Sequence, residues 1–211
     1  MRWTFGVEPS PQSLTVASLL RKVAGLVLSL ETSQAAVERL VAALQRSEAE
    51  LERLAPANPL PRIGPDAPED SRVYVDHSRD VGAFNPCFPV YDIQVDGDRA
   101  SGTVAFPLVY EGPPGIVHGG FLAVFFDSVI QHHNCDVGLA GKTTSLTVHY
   151  RKPTPLLAEL RFEVERAVED RRIVSSARLL AGDVLLCEAQ MSAVAGNRDR
   201  LPEVSPRRTN A

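Results

Sequence analysis

Residues 119–134 read GGFLAVFFDSVIQHHN, and no other stretch of the chain constrains the architecture as strongly. Its length and composition predict a single helix whose apolar side chains point in nearly every direction. Such a helix has to be covered on several sides, because apolar surface left in water is costly. The stretch therefore predicts one central helix enclosed by other elements of the same domain.

The segments around this helix change to a period of two, which is typical of β-strands. In residues 160–167, for example, apolar side chains alternate with charged ones. Two glycines, Gly97 and Gly182, stand between such segments and favour tight hairpin turns. We therefore expect an α+β domain in which a strongly curved antiparallel sheet folds around the helix. The predicted strands cover residues 90–95, 100–106, 143–151, 160–167, 173–180 and 183–194.

Residues 1–60 predict a helical extension ahead of this domain. Two runs, 13–30 and 33–54, carry apolar residues at helical spacing, which favours a helical hairpin. Apolar residues of the second run also recur every seven positions, a spacing that allows a short coiled coil. These residues are Val37, Leu44 and Leu51.

Proline marks the boundary between the extension and the domain. Residues 55–71 contain five prolines, and this composition is typical of an extended, semi-rigid linker. The predicted organisation is a linker over 61–82, the sheet-and-helix domain over 83–196 and a disordered tail over 197–211.

Composition and charge exclude several classes of function. The net charge is −4 and no segment is strongly basic, so we expect no nucleic-acid partner. The only candidate membrane segment, residues 14–30, is interrupted by Arg21 and Lys22, so we expect no membrane span. The chain has three widely spaced cysteines, which form neither a disulfide framework nor a CxxC metal site. We expect a cytoplasmic protein that uses no metal and no cofactor.

Asp127 stands in the middle of the apolar helix, where an unpaired carboxylate would be costly to bury. Its side chain has to be paired, protonated or turned toward a solvated site. His118, Gly119 and Gly120 open the same helix, and glycines there leave backbone N–H groups accessible at the positive end of the helix dipole. Such N–H groups can bind the oxyanion that forms at a carbonyl. Together with the acid, they point to chemistry at a carbonyl group.

Two stretches, EGPPGIVHGGFLAVFFD at 111–127 and TTSLTVHYRKPTPL at 143–156, resemble the hotdog-fold acyl-CoA thioesterases and, within them, the PaaI-like branch. The resemblance covers residues 83–194 and says nothing about residues 1–71. It implies a hotdog fold, in which a curved antiparallel sheet wraps around one helix. It also implies hydrolysis of a fatty or aromatic acyl-CoA to the free acid and coenzyme A.

The resemblance also assigns roles to individual positions of this sequence. It implies that Asp127 is the nucleophile or the general base. The backbone N–H of Gly119 would polarise the thioester carbonyl, with the N–H of Gly120 as a second candidate. His118 would line the site, and Thr143 would position the attacking water.

Two positions do not follow the expected pattern, and two basic residues are additional candidates for ligand binding. Alternation along the strand places Thr144, rather than Thr143, on the apolar face, unless a bulge or the strand start intervenes. Some members of the family carry an asparagine six residues before the histidine, where this chain has Gly112. Arg151 and Lys152, at the end of the strand, are candidates for binding the phosphates of coenzyme A.

The distance between Gly119 and Asp127 along the helix indicates whether one protomer can supply the whole site. Gly119 and Asp127 lie roughly 10–12 Å apart along the helix, whereas a reacting carbonyl has to be about 3 Å from both its donor and its nucleophile. A two-fold dimer with antiparallel helices would bring Asp127 of one chain to Gly119 of the other. We therefore expect a homodimer, or a dimer of dimers, with active sites at the interface, as the resemblance also implies.

Two alternatives share this architecture. The first is a non-catalytic hotdog module that binds acyl-CoA as a sensor, with the helical extension as its output element. The second is a hotdog enoyl-CoA hydratase, which would pair its acid with a catalytic histidine, a role that His118 leaves open. The sequence does not specify the length or type of the acyl chain.

Overall fold

The computed structural model describes residues 4–139 and 141–208. Helix α4, Gly119–Asp136, lies at the centre of the larger domain, where the sequence predicts it. It begins at this point because the ring Nδ1 of His118 accepts a hydrogen bond from the Gly120 N–H and so caps the first turn. Helix α4 has nine buried residues, which identifies it as the core element of the domain.

A six-stranded antiparallel sheet encloses α4. Its strands are β3 (Tyr91–Asp96), β4 (Arg99–Ala105), β5 (Gly141–Tyr150), β6 (Glu159–Glu169), β7 (Arg172–Ala181) and β8 (Val184–Ala195). They lie side by side in the order β3-β4-β6-β7-β8-β5, and all of them except β4 contact the helix through several residues. Strand β5 lies at one edge of the sheet and pairs with β8 alone.

The core forms between α4 and the inner face of the sheet. Strand β6 shows the expected alternation, with Leu160, Phe162 and Val164 buried between charged residues. Aromatic rings meet edge to face at the centre, where Phe125 lies 5.4 Å from Phe162 between ring centroids. The largest fully buried side chains are Tyr110, Phe106, Phe125, Phe126, Phe162, Ile130, Leu160, Ile173, Leu179, Met191, His133 and Val129.

The first helix of the extension is fastened to the domain by one arginine. Arg21 donates from Nη2 to the backbone carbonyls of Gly82 at 2.6 Å, Asn85 at 3.2 Å and Phe88 at 3.2 Å. Its Nε donates to the hydroxyl of the buried Tyr110 at 3.3 Å. These bonds connect the extension to the segments just before β3 and α4. The helices outside the core are α1 (Pro11–Leu28), α2 (Ala35–Leu54) and α3 (Val81–Phe84).

The linker and the described part of the tail contain a few backbone pairings. Two short parallel strands, β1 (Asn58–Pro61) and β2 (Ser71–Arg72), pair within this region. The disordered tail from residue 197 stays a prediction; within its described part, 197–208, Val204 forms an antiparallel bridge with Ile63 of the linker. Composition could not reveal this pairing because it uses backbone groups 141 positions apart in the sequence. The domain boundaries themselves stay predictions.

No helix among the described residues is both long enough and apolar enough to cross a membrane.

Candidate active site

Asp127 is held by a chain of hydrogen bonds that links α4 to β5. Its Oδ1 accepts from the hydroxyl of Thr143 at 2.9 Å, and Gln131 Nε2 donates to the same hydroxyl at 2.7 Å. The Thr143 hydroxyl thus donates a hydrogen bond to the carboxylate and accepts one from the Gln131 amide, so the direction of both bonds is set. The hydrogen bond engages Oδ1 and leaves Oδ2, the second carboxylate oxygen, available for chemistry.

A bulge explains why Thr143 faces the helix although strand alternation favours Thr144. The register between β5 and β8 shifts between Thr143 and Ser145. Thr144 falls within this shift, and its hydroxyl donates to the backbone carbonyl of Ser192 at 2.9 Å. The extra residue resets the alternation, so Thr143 reaches Asp127 while the following strand keeps its apolar face inward.

The two glycines at the start of α4 differ in whether their backbone N–H groups are hydrogen-bonded. The Gly120 N–H is engaged by His118 Nδ1 at 3.0 Å. Since a backbone N–H can only donate, Nδ1 of His118 is the acceptor in this bond. Within the described residues, the Gly119 N–H has no acceptor. Of the two candidate oxyanion donors, Gly119 is therefore the available one.

Tyr150 fixes the position of Gly119 from β5. Its hydroxyl donates to the Gly119 carbonyl at 2.9 Å. A Cβ at position 119 would lie 3.1 Å from that hydroxyl, so the absence of a side chain allows this approach. Gly112 packs in a similar way against His118, because a Cβ there would lie 2.8 Å from the histidine Cα. The site therefore has no room for an asparagine at position 112.

A groove of about 430 Å³ runs past the helix start. It is lined by Gly119, Tyr150 and both of the basic residues predicted to bind phosphate, Arg151 and Lys152. Arg151 donates from Nε to Glu188 at 2.9 Å, and this contact lowers the pKa of the Glu188 carboxyl. Lys152 is exposed, and no ion pair of its side chain is present within the described chain. Lys152 is thus the more available cation.

The candidate residues form two groups rather than one. Asp127 and Thr143 lie near one end of β5, whereas Gly119 and Tyr150 lie at the other. Eight residues of helix separate the carboxylate from the open N–H, which is about 12 Å of rise. A single protomer therefore does not present both groups to one carbonyl.

Sequence reasoning missed Gln131 and Tyr150. A signal existed for Gln131, which is four residues after Asp127 and hence on the same face of the helix. Tyr150 lies in the stretch 143–156 that carries the resemblance, but the sequence assigns it no role, because its contact depends on where the end of β5 meets the start of α4.

The histidines near the end of α4 are engaged in packing and hydrogen bonds. His132 Nδ1 lies 3.1 Å from the Tyr91 hydroxyl, and His133 Nε2 lies 3.0 Å from the Gly97 carbonyl. Burial lowers the pKa of His133, so its ring stays neutral. No cluster of three or more potential metal-binding side chains occurs in residues 4–139 and 141–208.

No protein-family model matches the sequence. The chain is 30% identical over 86 residues to an acyl-coenzyme A thioesterase, THEM4, of Xenopus laevis. That match covers 40% of this chain and 38% of the relative, so the chain aligns with well under half of the relative's length.

One solved structure extends the similarity to most of the chain. The crystal structure of a thioesterase superfamily protein matches with a TM-score of 0.71 and 26% identity, covering 92% of this chain and 96% of that one. A coenzyme A complex of a hypothetical thioesterase from Streptococcus pneumoniae matches with a TM-score of 0.49 and 19% identity, covering 52% and 88%. The first match confirms the predicted hotdog fold, and its coverage includes the helical extension as well as the sheet.

Proposed function

We propose that this chain, whose fold matches that of a thioesterase superfamily protein, hydrolyses an acyl-CoA to a free acid and coenzyme A. The observation that carries the proposal is the hydrogen bond between Thr143 and Asp127 at 2.9 Å, on a helix whose first N–H is open. The bond orients a carboxylate at a solvated edge of the core. The open Gly119 N–H supplies a donor for the oxyanion that every acyl transfer from a thioester forms.

The proposed active unit is a homodimer joined at the β5 edge. An exposed edge strand of ten residues offers unpaired backbone groups to a second chain. If two copies of β5 pair antiparallel about Leu146 or Thr147, Thr143 lies within one residue of the partner's Tyr150. That pairing brings Asp127 toward the partner's Gly119, which supplies the donor that its own protomer holds about 12 Å away.

Two reaction routes are compatible with this geometry. In the first, Asp127 takes a proton from a water whose oxygen bonds to the thioester carbon. The oxyanion is held by the partner's Gly119 until the carbon–sulfur bond breaks and coenzyme A leaves as a thiolate. In the second, Asp127 itself bonds to the carbon and releases the thiolate, and water then hydrolyses the mixed anhydride.

Coenzyme A is expected to lie in the groove beside the helix start. Lys152 is the proposed phosphate contact, since its ammonium is available at the groove wall. Arg151 can contribute only in competition with Glu188. The phosphates would then extend away from the interface while the thioester lies between the two chains.

The first experiment measures free-thiol release from a panel of short, medium, long and aromatic acyl-CoAs. Asp127→Asn should lower kcat by about 10²–10⁴-fold while leaving the thermal midpoint close to that of the wild type. The matched control, Asp183→Asn, changes an exposed carboxylate in the β7–β8 turn and should retain activity. Tight binding of acyl-CoA with no turnover by the wild type would instead support the sensor, and hydration of an enoyl-CoA without thiol release would support the hydratase.

Complementation tests the shared site. Gly119→Pro removes the proposed donor at the first helical position, where the backbone accepts proline because His118 already has the extended conformation that precedes it (ψ 132°). Its Cβ would lie 3.1 Å from the Tyr150 hydroxyl, so that ring has to shift by a few tenths of an ångström, and the thermal midpoint of the variant is measured alongside. Verified heterodimers of Gly119→Pro and Asp127→Asn chains contain one intact site and should recover part of the activity. Failure to recover activity in such heterodimers would contradict the shared site without affecting the hydrolase assignment.

A further inference from the structure

A second cavity adjoins the catalytic pair on the side away from the helix start. Its volume is about 290 Å³, and Thr143 and Gln131 form one wall. Because Thr143 bonds Asp127 directly, this wall lies one side chain away from the carboxylate. Three aromatic rings from outside the predicted domain, Phe5, Tyr74 and His77, also line the cavity.

The opposite wall is built by two segments that the sequence assigns to the extension and the linker. Val7 and Val75 form a parallel bridge, with the Val7 N–H donating to the Tyr74 carbonyl at 2.9 Å. Gly6 allows this contact: its φ is 122°, and a Cβ there would lie 2.8 Å from the Asp76 nitrogen. The wall is therefore a specific structure rather than a chance approach of two loops.

The aromatic rings support one another along this wall. Tyr74 lies 5.5 Å from Phe5 and 5.4 Å from His77, measured between ring centroids, and His77 lies 5.1 Å from Phe84. Contacts at these distances orient the rings and limit their movement. Burial raises the pKa of Tyr74, so its phenol remains neutral.

The charge that borders the cavity is already engaged. The Asp76 carboxylate accepts from the Ser78 N–H and hydroxyl, both at 2.9 Å, and from the Phe5 N–H at 3.4 Å. These hydrogen bonds hold the two segments of the wall together and supply donors to the Asp76 carboxylate. The cavity therefore favours an uncharged group with apolar or aromatic surface.

We propose that this cavity binds the acyl group of the substrate, and that Phe5, Tyr74 and His77 limit its size. The inference rests on the proposed function, because the thioester carbon has to lie at Asp127 for the acyl group to enter past Thr143. A volume near the lower end of about 300–1,000 Å³ for small-molecule sites selects a compact acyl group, of a few carbon atoms or one ring. A long fatty chain would extend beyond this volume and meet the aromatic wall, so it should bind more weakly than a compact acyl group.

The test uses thioether analogues of acyl-CoA, which have the same chain but cannot be hydrolysed, so binding is measured independently of turnover. Calorimetry on the full-length wild type should give tighter Kd values for compact chains than for long ones. Phe5→Ala enlarges the cavity and should shift the ratio of long-chain to compact-chain affinity by about 10-fold or more toward long chains. Phe5→Trp narrows it and should weaken binding of one-ring analogues.

Two further variants guard against indirect effects. Leu51→Ala truncates an exposed side chain on α2, away from the cavity, and should leave the chain-length profile unchanged. If Phe5→Ala releases the N-terminal segment from the linker, His77→Ala enlarges the same cavity from the linker side and should give the same shift.

The outcomes separate this inference from the hydrolase assignment. Thiol release by the wild type together with an unchanged profile in both Phe5→Ala and His77→Ala would overturn the acyl cavity and leave the function standing. A wild-type profile that favours long chains would overturn it as well. A shifted binding profile without any thiol release would support the cavity while contradicting hydrolysis.

Discussion

Helices α1 and α4 have the same length, 18 residues, and both are rich in apolar side chains, yet they differ in how much of each is buried. Nine residues of α4 are buried, whereas Ala17 is the one buried residue of α1. The difference follows from their neighbours: α4 is enclosed by the sheet, while α1 packs mainly against α3 and the short turn at Leu108–Tyr110. Apolar content thus shows that a helix can be buried, and its surroundings determine whether it is.

The two helices are also held by different forces. Apolar packing against the sheet stabilises α4 through its nine buried residues, and truncating them would leave cavities. The attachment of α1 includes a polar contact, the Arg21 guanidinium on three backbone carbonyls. The stability of the domain should therefore respond strongly to changes in α4 and locally to changes in α1.

The largest effect is expected from truncating the centre of α4. Phe125→Ala removes a fully buried ring and should lower the free energy of unfolding by about 3–5 kcal/mol. Leu26→Ala, on the exposed face of α1, should change it by no more than about 0.5 kcal/mol. Urea unfolding measures both, and similar losses in the two variants would contradict the contrast between the helices.

A smaller effect is expected at the attachment of α1. Arg21→Ala leaves three carbonyls without their charged donor and should cost about 1.5–3 kcal/mol. Hydrogen exchange should show this loss first in α1 and in the segment 82–88. Lys22→Ala, an exposed neighbour, is the control, and an equal increase of exchange in that variant would argue against the role of Arg21.

Lowering the pH is expected to reduce the free energy of unfolding, because the buried His133 on α4 resists protonation in the folded protein. Burial lowers the pKa of this histidine in the folded protein, so the unfolded chain binds the proton more readily. Stability should therefore be lost as the pH falls through the ordinary histidine range, near about 6.5. The difference in unfolding free energy between the wild type and His133→Gln, measured from pH 8 to pH 5, should shrink in that window. A pH-independent difference would exclude this contribution.

The smallest effect is expected in α2, which has no buried residue. Leu44→Glu should change the free energy of unfolding by no more than about 0.5 kcal/mol. Sedimentation of wild type and variant would show whether this apolar stripe contributes to self-association. A large loss of stability that depends on protein concentration would show that a second copy covers α2.

Much of this arrangement could be read from local pattern. The apolar run at 119–134 specified the central helix, and alternation specified the strands, since side-chain burial imposes periods of 3.6 and 2. The pairing of His118 with Gly119 and the acid at Asp127 pointed to the candidate site. Alternation failed at Thr143, because a bulge depends on pairing with β8 rather than on the residues of β5 alone.

The tail and the second cavity show the limits of that reading. Composition predicted a disordered tail and an extended, semi-rigid linker, and it gave no sign that Val204 pairs with Ile63 or that Tyr74 lines a cavity beside Thr143. These contacts join residues far apart in the chain, so no local pattern records them.

The sequence alone determined the core helix, the strands and the identity of the candidate residues, because each depends on a short stretch of side chains and its periodicity. Three-dimensional packing determined that the Gly120 N–H is occupied, that Gln131 and Tyr150 join the site, and that the extension forms a wall of a cavity beside Asp127. The physical reason is that hydrogen bonds and cavities depend on distances between atoms, and folding sets those distances between segments that the sequence keeps apart.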